Sequence, residues 1–265
     1  MSVDNLSYKI ENKQIINDLS FVIKDNSVNA FLSSNNSGKT TLIKLLSGII
    51  YNESGKIVVN DITLNRSNFK KYIQNISTIL DDIDESFLCD TVIEEIKYPL
   101  INLKYSKSEI ENRIDEILSI LDLNRIVDKK INELNNFEKV KVLLAASIAH
   151  NPKVLLIDDL LRFLTLDEKK EIINIFKKIC NDDISIIFTT SSLNGLKEID
   201  NIYVLNNGKI AIHDSFENII LKDNELSKMG IEIPLMIDLS RKLQFYELLD
   251  KVYYDPDKVV DKLWK

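Results

Sequence analysis

The sequence predicts an α/β fold built on a parallel sheet, and three observations predict it. The first is SSNNSGKT, residues 33–40, set between the apolar run VNAFL and the helix-prone TLIKLLSG. A β-rich run, a small-residue loop closing on Gly38-Lys39-Thr40 and a helix form the strand–loop–helix context of a phosphate-binding loop. The second is a βαβ alternation in which KVLLIDD (153–159) and ISIIFTT (184–190) flank a helical stretch. Both runs are continuously apolar, as parallel strands covered on both faces are. The third is helical spacing through residues 91–149, which places a helical insertion between sheet segments.

Taken in order, residues 1–32 read as short strands. Leu6, Tyr8 and Ile10 alternate with polar residues, as do Leu19, Phe21 and Ile23, ahead of the turn-like KDNS; an antiparallel edge leading into a buried strand is expected. Residues 41–48 carry helical spacing, with Gly48 as a C-terminal cap. GKIVVNDITL (55–64) alternates again, and ISTIL (76–80) is a further β run. Ser106 and Glu109 make a capping box before Ile110, Ile114, Ile117, Leu118 and Leu121. Thr165 and Glu168 cap the next helix, 166–179, and the Asn-Asn-Gly of 202–213 predicts a hairpin. From residue 222 the polar KDNE opens a small appendage, in which Pro234 starts a helix with Leu235, Met236, Leu239 and Leu243 on one face.

The 265 residues suit one large domain, or a core with a small appendage, and 45% hydrophobic content is enough for a packed interior. The net charge of −7 argues against a nucleic-acid partner, which requires a basic face. Cys89 and Cys180, without a CxxC pattern or histidine companions, read as ordinary thiols of a reducing compartment. The start of the chain has no basic-then-apolar signal pattern, and no apolar run approaches the roughly 18 residues that cross a bilayer, so a cytoplasmic protein is expected.

The chemistry centres on the loop. Its amides and the helix N-terminus would hold a phosphate anion, making Ser33, Ser34, Asn35, Asn36, Ser37, Gly38, Lys39, Thr40 and Thr41 the candidate nucleotide-binding residues. Lys39 would reach the outer phosphates and the Thr40 hydroxyl would ligate Mg²⁺. The pattern wants glycine where Ser33 stands. A Gly-Lys-Thr turn that starts a helix and binds nothing is the alternative, and the flanking segments weigh against it.

A phosphate loop, a helical insertion and an apolar strand ending in Asp158-Asp159 together resemble an ATP-binding cassette (ABC) ATPase over residues 1–221. The tail, 222–265, is similar to that of the ATPases of energy-coupling factor (ECF) importers, through MGIEIPLMIDLSRKLQ (229–244). FLCDTVIEEIKYPLINL (87–103) and AHNPKVLLIDD (149–159) agree further, so the resemblance covers nearly the whole chain. It implies a P-loop NTPase core with an antiparallel β subdomain, an α-helical subdomain over about 82–150, and a small C-terminal helical appendage for dimerisation.

Laid on this sequence, the family's pattern implies ATP and Mg²⁺ as ligands and several replaced residues. The adenine-stacking aromatic falls on Ile10, with Tyr8 as a substitute; such stacking contributes about 1–3 kcal/mol. Ser33 and Asn36 stand at usual glycine positions. Asn tolerates left-handed backbone and Ser less so, which puts the first turn of the loop in question. The metal-sensing glutamine falls on Asp81, an acid that could still approach the metal. The signature Leu-Ser-Gly-Gly-Gln becomes Leu134-Asn135-Asn136-Phe137-Glu138, expected to bring bulk and negative charge toward a phosphate held by the opposite subunit. Asp158 matches the Mg²⁺-supporting aspartate. Asp159 replaces the glutamate that polarises water, with about 1.5 Å less reach, so it is the candidate base at reduced efficiency. The γ-phosphate histidine falls on Ser191, and Arg162-Phe163-Leu164-Thr165 on the Ser-x-Leu-Asp loop; His150 and His213 read as surface or packing residues.

The resemblance therefore implies an ECF-type importer subunit for vitamin or metal-ion uptake, peripheral on the cytoplasmic face of the membrane. It would pair with a second, more competent cassette and an integral membrane coupling subunit, with weak or no hydrolysis of its own. A fully active transport ATPase using Asp159, and a non-transport scaffold or regulator, are the alternatives.

Overall fold

The computed structural model describes residues 1–199 and 201–264. The chain runs β1 (Ser2–Ile10), β2 (Lys13–Val22), β3 (Val28–Leu32), α1 (Lys39–Leu46), β4 (Ser54–Val59), β5 (Ile62–Thr63), α2 (Phe69–Ile73) and β6 (Ile76–Ile79). The helical insertion follows as α3 (Val92–Asn102), α4 (Lys107–Leu121) and α5 (Asn136–Ile148). Then come β7 (Val154–Ile157), α6 (Leu166–Cys180), β8 (Ser185–Thr190), β9 (Asn201–Asn206) and β10 (Lys209–Asp214). The chain closes with α7 (Phe216–Ile219), α8 (Asp223–Lys228), α9 (Leu235–Phe245) and α10 (Pro256–Leu263).

Among the described residues the strands form two sheets, one ordered β2-β1-β4-β5 and one ordered β10-β9-β3-β8-β7-β6. In the larger sheet β9, β3, β8, β7 and β6 are parallel and β10 is an antiparallel edge. Strand periodicity divides the core. Ala30, Leu32, Ile186 and Phe188 face a cluster shared with α6 and the helical insertion. Phe31, Ile187 and Leu156 face the smaller sheet, with Leu42, Ile43, Leu45 and Leu46 of α1 in the same cluster. The helix that follows the phosphate loop is thus packed between the two sheets, and the loop's position follows from burial of that helix.

The expected antiparallel edge, the capping boxes at Ser106 and Thr165, and the hairpin turn at Asn207-Gly208 are all present. Two expectations are corrected. The alternation of 55–64 is not one run: Asn60 and Asp61 both take positive φ and fold it into the β4–β5 hairpin, a turn that suits these residues. In α9 the buried residues are Ile237 and Ser240, whereas Leu235 is 76% exposed and Leu239 is also exposed. The reason is that the helix meets two neighbours: Ile237 joins the main core, and Met236 and Leu243 pack on the small cluster of Leu249, Tyr253 and Val259. His213 is a packing residue, stacked 4.0 Å from the Tyr203 ring.

Candidate functional site

The loop between β3 and α1 is tied to the sheet at its start, where the Ser33 amide donates to the Thr190 carbonyl at 3.1 Å. Ser33 is fully buried, and its hydroxyl lies 2.6 Å from that of Ser37. Asn36 and Gly38 take the positive φ angles of the loop, 59° and 100°, and Ser33 does not. The steric doubt over Ser33 is therefore corrected: its backbone has no left-handed requirement, and Asn36 supplies the one that a side chain can tolerate. At Gly38 a Cβ would also lie 3.1 Å from the Ile15 side chain.

Lys39 is buried, and its Nζ donates to the carbonyls of Ser33 and Ser34 at 3.0 and 2.9 Å. Burial lowers its pKa, opposed by the charges of Asp159 and Asp158. No side chain caps the N-terminus of α1 and no acid occupies its first turn, so its amides, with Thr40 and Thr41 among them, are available to an anion.

β7 delivers the two acids. Asp158 is fully buried; its Oδ1 accepts from the Thr189 hydroxyl at 2.6 Å, and the Thr189 hydroxyl oxygen accepts from the Asp159 amide at 2.9 Å. Asp158 Oδ2 and Asp159 Oδ1 are buried and accept no hydrogen bond among the described residues. Such orphaned carboxylate oxygens are costly unless a cation meets them. Both are oxygen donors, the chemistry that Mg²⁺ prefers, so the two acids fit that ion. Asp159 takes a left-handed φ of 42°, and burial raises its pKa, opposed by Lys39 and Arg162 and reinforced by Asp158 and Asp81.

Arg162, which sequence reasoning left without a role, joins the remaining acids. It lies in the turn Leu160–Phe163 directly after them. Its Nη2 donates to the Asp81 carbonyl at 2.8 Å and stands 3.8 Å from Asp81 Oδ2, while Nη1 is 3.9 Å from Asp159 Oδ2. The available signal was a base three residues beyond a pair of acids.

The signature segment differs from expectation in detail. Asn135 caps α5, accepting the Glu138 amide at 2.9 Å, and Glu138 accepts the Asn135 amide at 3.0 Å. Glu138 also lies 3.5 Å from Lys129. Phe137 does not stand out toward a ligand; it is half-buried against the core, beneath Lys141. The N-terminus of α5 is closed by its own side chains. Ile10 is exposed, whereas Tyr8 is half-buried against the inter-sheet core and is not a free-standing ring. Ser191 follows β8 directly. The appendage reaches this site too: Gly230, at φ 74°, lies where a Cβ would be 3.4 Å from that of Ser34, and Glu232 bridges to Ser192.

Comparison with known proteins follows this geometry. The family profile for ABC transporters matches residues 16–162, more than half of the chain. The Energy-coupling factor transporter ATP-binding protein EcfA1 of Ligilactobacillus salivarius is 27% identical over 99% of this chain and 95% of its own length. The protein of the same description from Oenococcus oeni is 28% identical over 98% and 95%. Among solved structures, cbiO1 from Clostridium perfringens, described as part of the ABC transporter complex cbiONQ, superposes with a TM-score of 0.79. That match is 23% identical and covers 91% of this chain and 98% of the other, so it shows the shared fold.

Proposed function

This chain belongs to the ABC transporter family, and on that premise we propose that it is the ATP-binding subunit of an ECF-type importer whose own hydrolysis is weak or absent. The observation that carries the reading is a contrast inside one site. The groups that would hold nucleotide are an uncapped α1 N-terminus, Lys39, Thr40 and the orphaned Asp158 Oδ2. The groups that would fire it are in part engaged elsewhere. The Asp159 carboxylate faces Arg162, and the α5 N-terminus that would close on a partner's nucleotide is satisfied by Asn135 and Glu138. Bound Mg²⁺ would supply charge neutralisation between the phosphates and the acids. Lys39 would turn from the loop carbonyls to the phosphates, and Asp158 would hold the metal's side of the site.

The ECF assignment is supported by relatives matched through the tail as well as the core. The subunit would pair with a second, competent cassette and pass nucleotide-driven closure to an integral membrane subunit taking up a vitamin or metal ion. It would sit peripherally on the cytoplasmic face; among the described residues no helix is long and apolar enough to cross a membrane. A second reading, an active ATPase with Asp159 as base, is favoured by one observation, the unpartnered Asp159 Oδ1.

The test is nucleotide binding and phosphate release by the chain alone and with its partner cassette, for the wild type, Lys39→Ala and Asp159→Asn. Lys39→Ala is expected to weaken nucleotide binding at least about tenfold, the loss of about 1.4 kcal/mol or more. Phosphate release by the isolated chain is expected to be low and unchanged by Asp159→Asn. Robust release that both substitutions abolish would establish the active ATPase instead.

A further inference from the structure

Arg162 occupies a place with a specific electrostatic consequence. Lys39 is the cation of the phosphate loop; Asp159 and Asp158 act on it, and Asp81 stands beside Asp159. A nucleotide entering with only Lys39 for company would bring several phosphate charges against three carboxylates. A second cation is already held there. The Arg162 guanidinium is anchored by its 2.8 Å hydrogen bond to the Asp81 carbonyl and lies 4.5 Å from the centre of the Phe163 ring. Ring stacking and a backbone acceptor fix a planar guanidinium with little loss of side-chain freedom on binding.

The remaining contacts are looser. At 3.8 and 3.9 Å the Asp81 and Asp159 carboxylates neutralise Arg162 without closing tight hydrogen bonds. A guanidinium has five N–H donors, and the Asp81 carbonyl engages one of them. The others remain for an anion with bidentate geometry, and phosphate is such an anion. The side chain is 44% accessible, so a ligand can reach it.

We propose that Arg162 is a resident cation of the nucleotide site, which offsets Asp81 and Asp159 and lets the chain hold nucleotide phosphates with little dependence on a divalent metal. The same side chain sets a positive charge 3.9 Å from Asp159 Oδ2 and leaves Oδ1 unpartnered. The inference rests on the reading that nucleotide binds at this loop, and it concerns the metal dependence of that binding.

Isothermal titration of ATP into the full chain, with excess Mg²⁺ and separately with EDTA, tests it on the wild type, R162A and R162K. The wild type is expected to keep affinity in EDTA within about tenfold of its Mg²⁺ value. R162A is expected to lose about tenfold or more in EDTA and distinctly less in Mg²⁺, because added metal supplies the missing positive charge. R162K, which keeps the charge and loses the fork, is expected to lie between them. Thermal midpoints of the three proteins show that each is folded. Binding by the wild type in Mg²⁺ alone overturns the inference and leaves the nucleotide-binding reading standing. So does an equal loss in both media for R162A, which marks a structural residue. No binding in either medium overturns both.

Discussion

Asp158 and Asp159 share one threonine and do different work. Asp158 spends one oxygen on the Thr189 hydroxyl and keeps the other unpaired, whereas Asp159 gives Thr189 only its amide and turns its carboxylate toward Arg162. Burial is the largest influence on Asp159 and raises its pKa. A carboxyl whose folded pKa lies above its unfolded value contributes stability below the unfolded value and loses it as pH rises through the folded one. At neutral pH the charged Asp159 is therefore a cost to the fold, and Asp159→Asn should melt at a higher temperature than the wild type at pH 7, with the difference shrinking as the pH is lowered toward the folded pKa. An unchanged or lower midpoint would mean that Lys39 and Arg162 repay the burial in full. Arg162 had only a local signal, its spacing three residues beyond the acids, because its other partner, Asp81, is far away in sequence and comes near only where β6 and β7 pair. Lys39, Thr40 and Asp158 were legible because each is tied to the end of a local strand–loop–helix or strand motif.

At the scale of elements, the caps hold the functional loops in place. The turn carrying Arg162 runs from the end of β7 into α6, and the Thr165–Glu168 box closes its far end: Thr165 and Glu168 exchange backbone-to-side-chain bonds at 2.7 and 3.4 Å. Thr165→Ala should cost about 1 kcal/mol, typical of a lost N-cap, and lower the thermal midpoint by about 2–4 °C for a chain of this size. A larger fall accompanied by weaker nucleotide binding would show that the cap also steadies Arg162. The capping boxes at Ser106 and Thr165 and the Asn207-Gly208 turn could be read from sequence, because each signal spans only two to four residues. The Asn60-Asp61 turn had a subtler signal, a change of phase from Ile57 and Val59 to Ile62 and Leu64, which is easily taken for one continuous alternation. In α9 the helix and the shared face of Leu235, Met236, Leu239 and Leu243 could be read from spacing, but not which of them is buried, because the helix packs on two separate clusters. Phe137 shows the limit of motif alignment, which located the signature segment but gave no direction for its side chains.

At the scale of the molecule, the appendage is only half satisfied. Its first part is fused to the ATPase core through Ile231 and Ile237, and its last part has a small cluster of its own in Leu249, Tyr253 and Val259. Around that cluster Leu239 and Val260 are exposed, and Phe245 and Trp264 are 82% and 79% exposed. So much apolar surface on so small a unit is characteristic of a protein contact, and the proposed heterodimer needs one outside the nucleotide sites. If the second cassette covers this face, Leu239→Ser combined with Phe245→Ser should reduce its recovery with the tagged chain about tenfold. Nucleotide affinity of the isolated chain should stay at the wild-type value, because both residues lie on the helix beyond the turn that abuts Ser34. Co-purification at wild-type yield would show that the second cassette does not cover this face. A simultaneous loss of nucleotide binding would instead place the appendage within the nucleotide site, with Gly230 against Ser34 as the route.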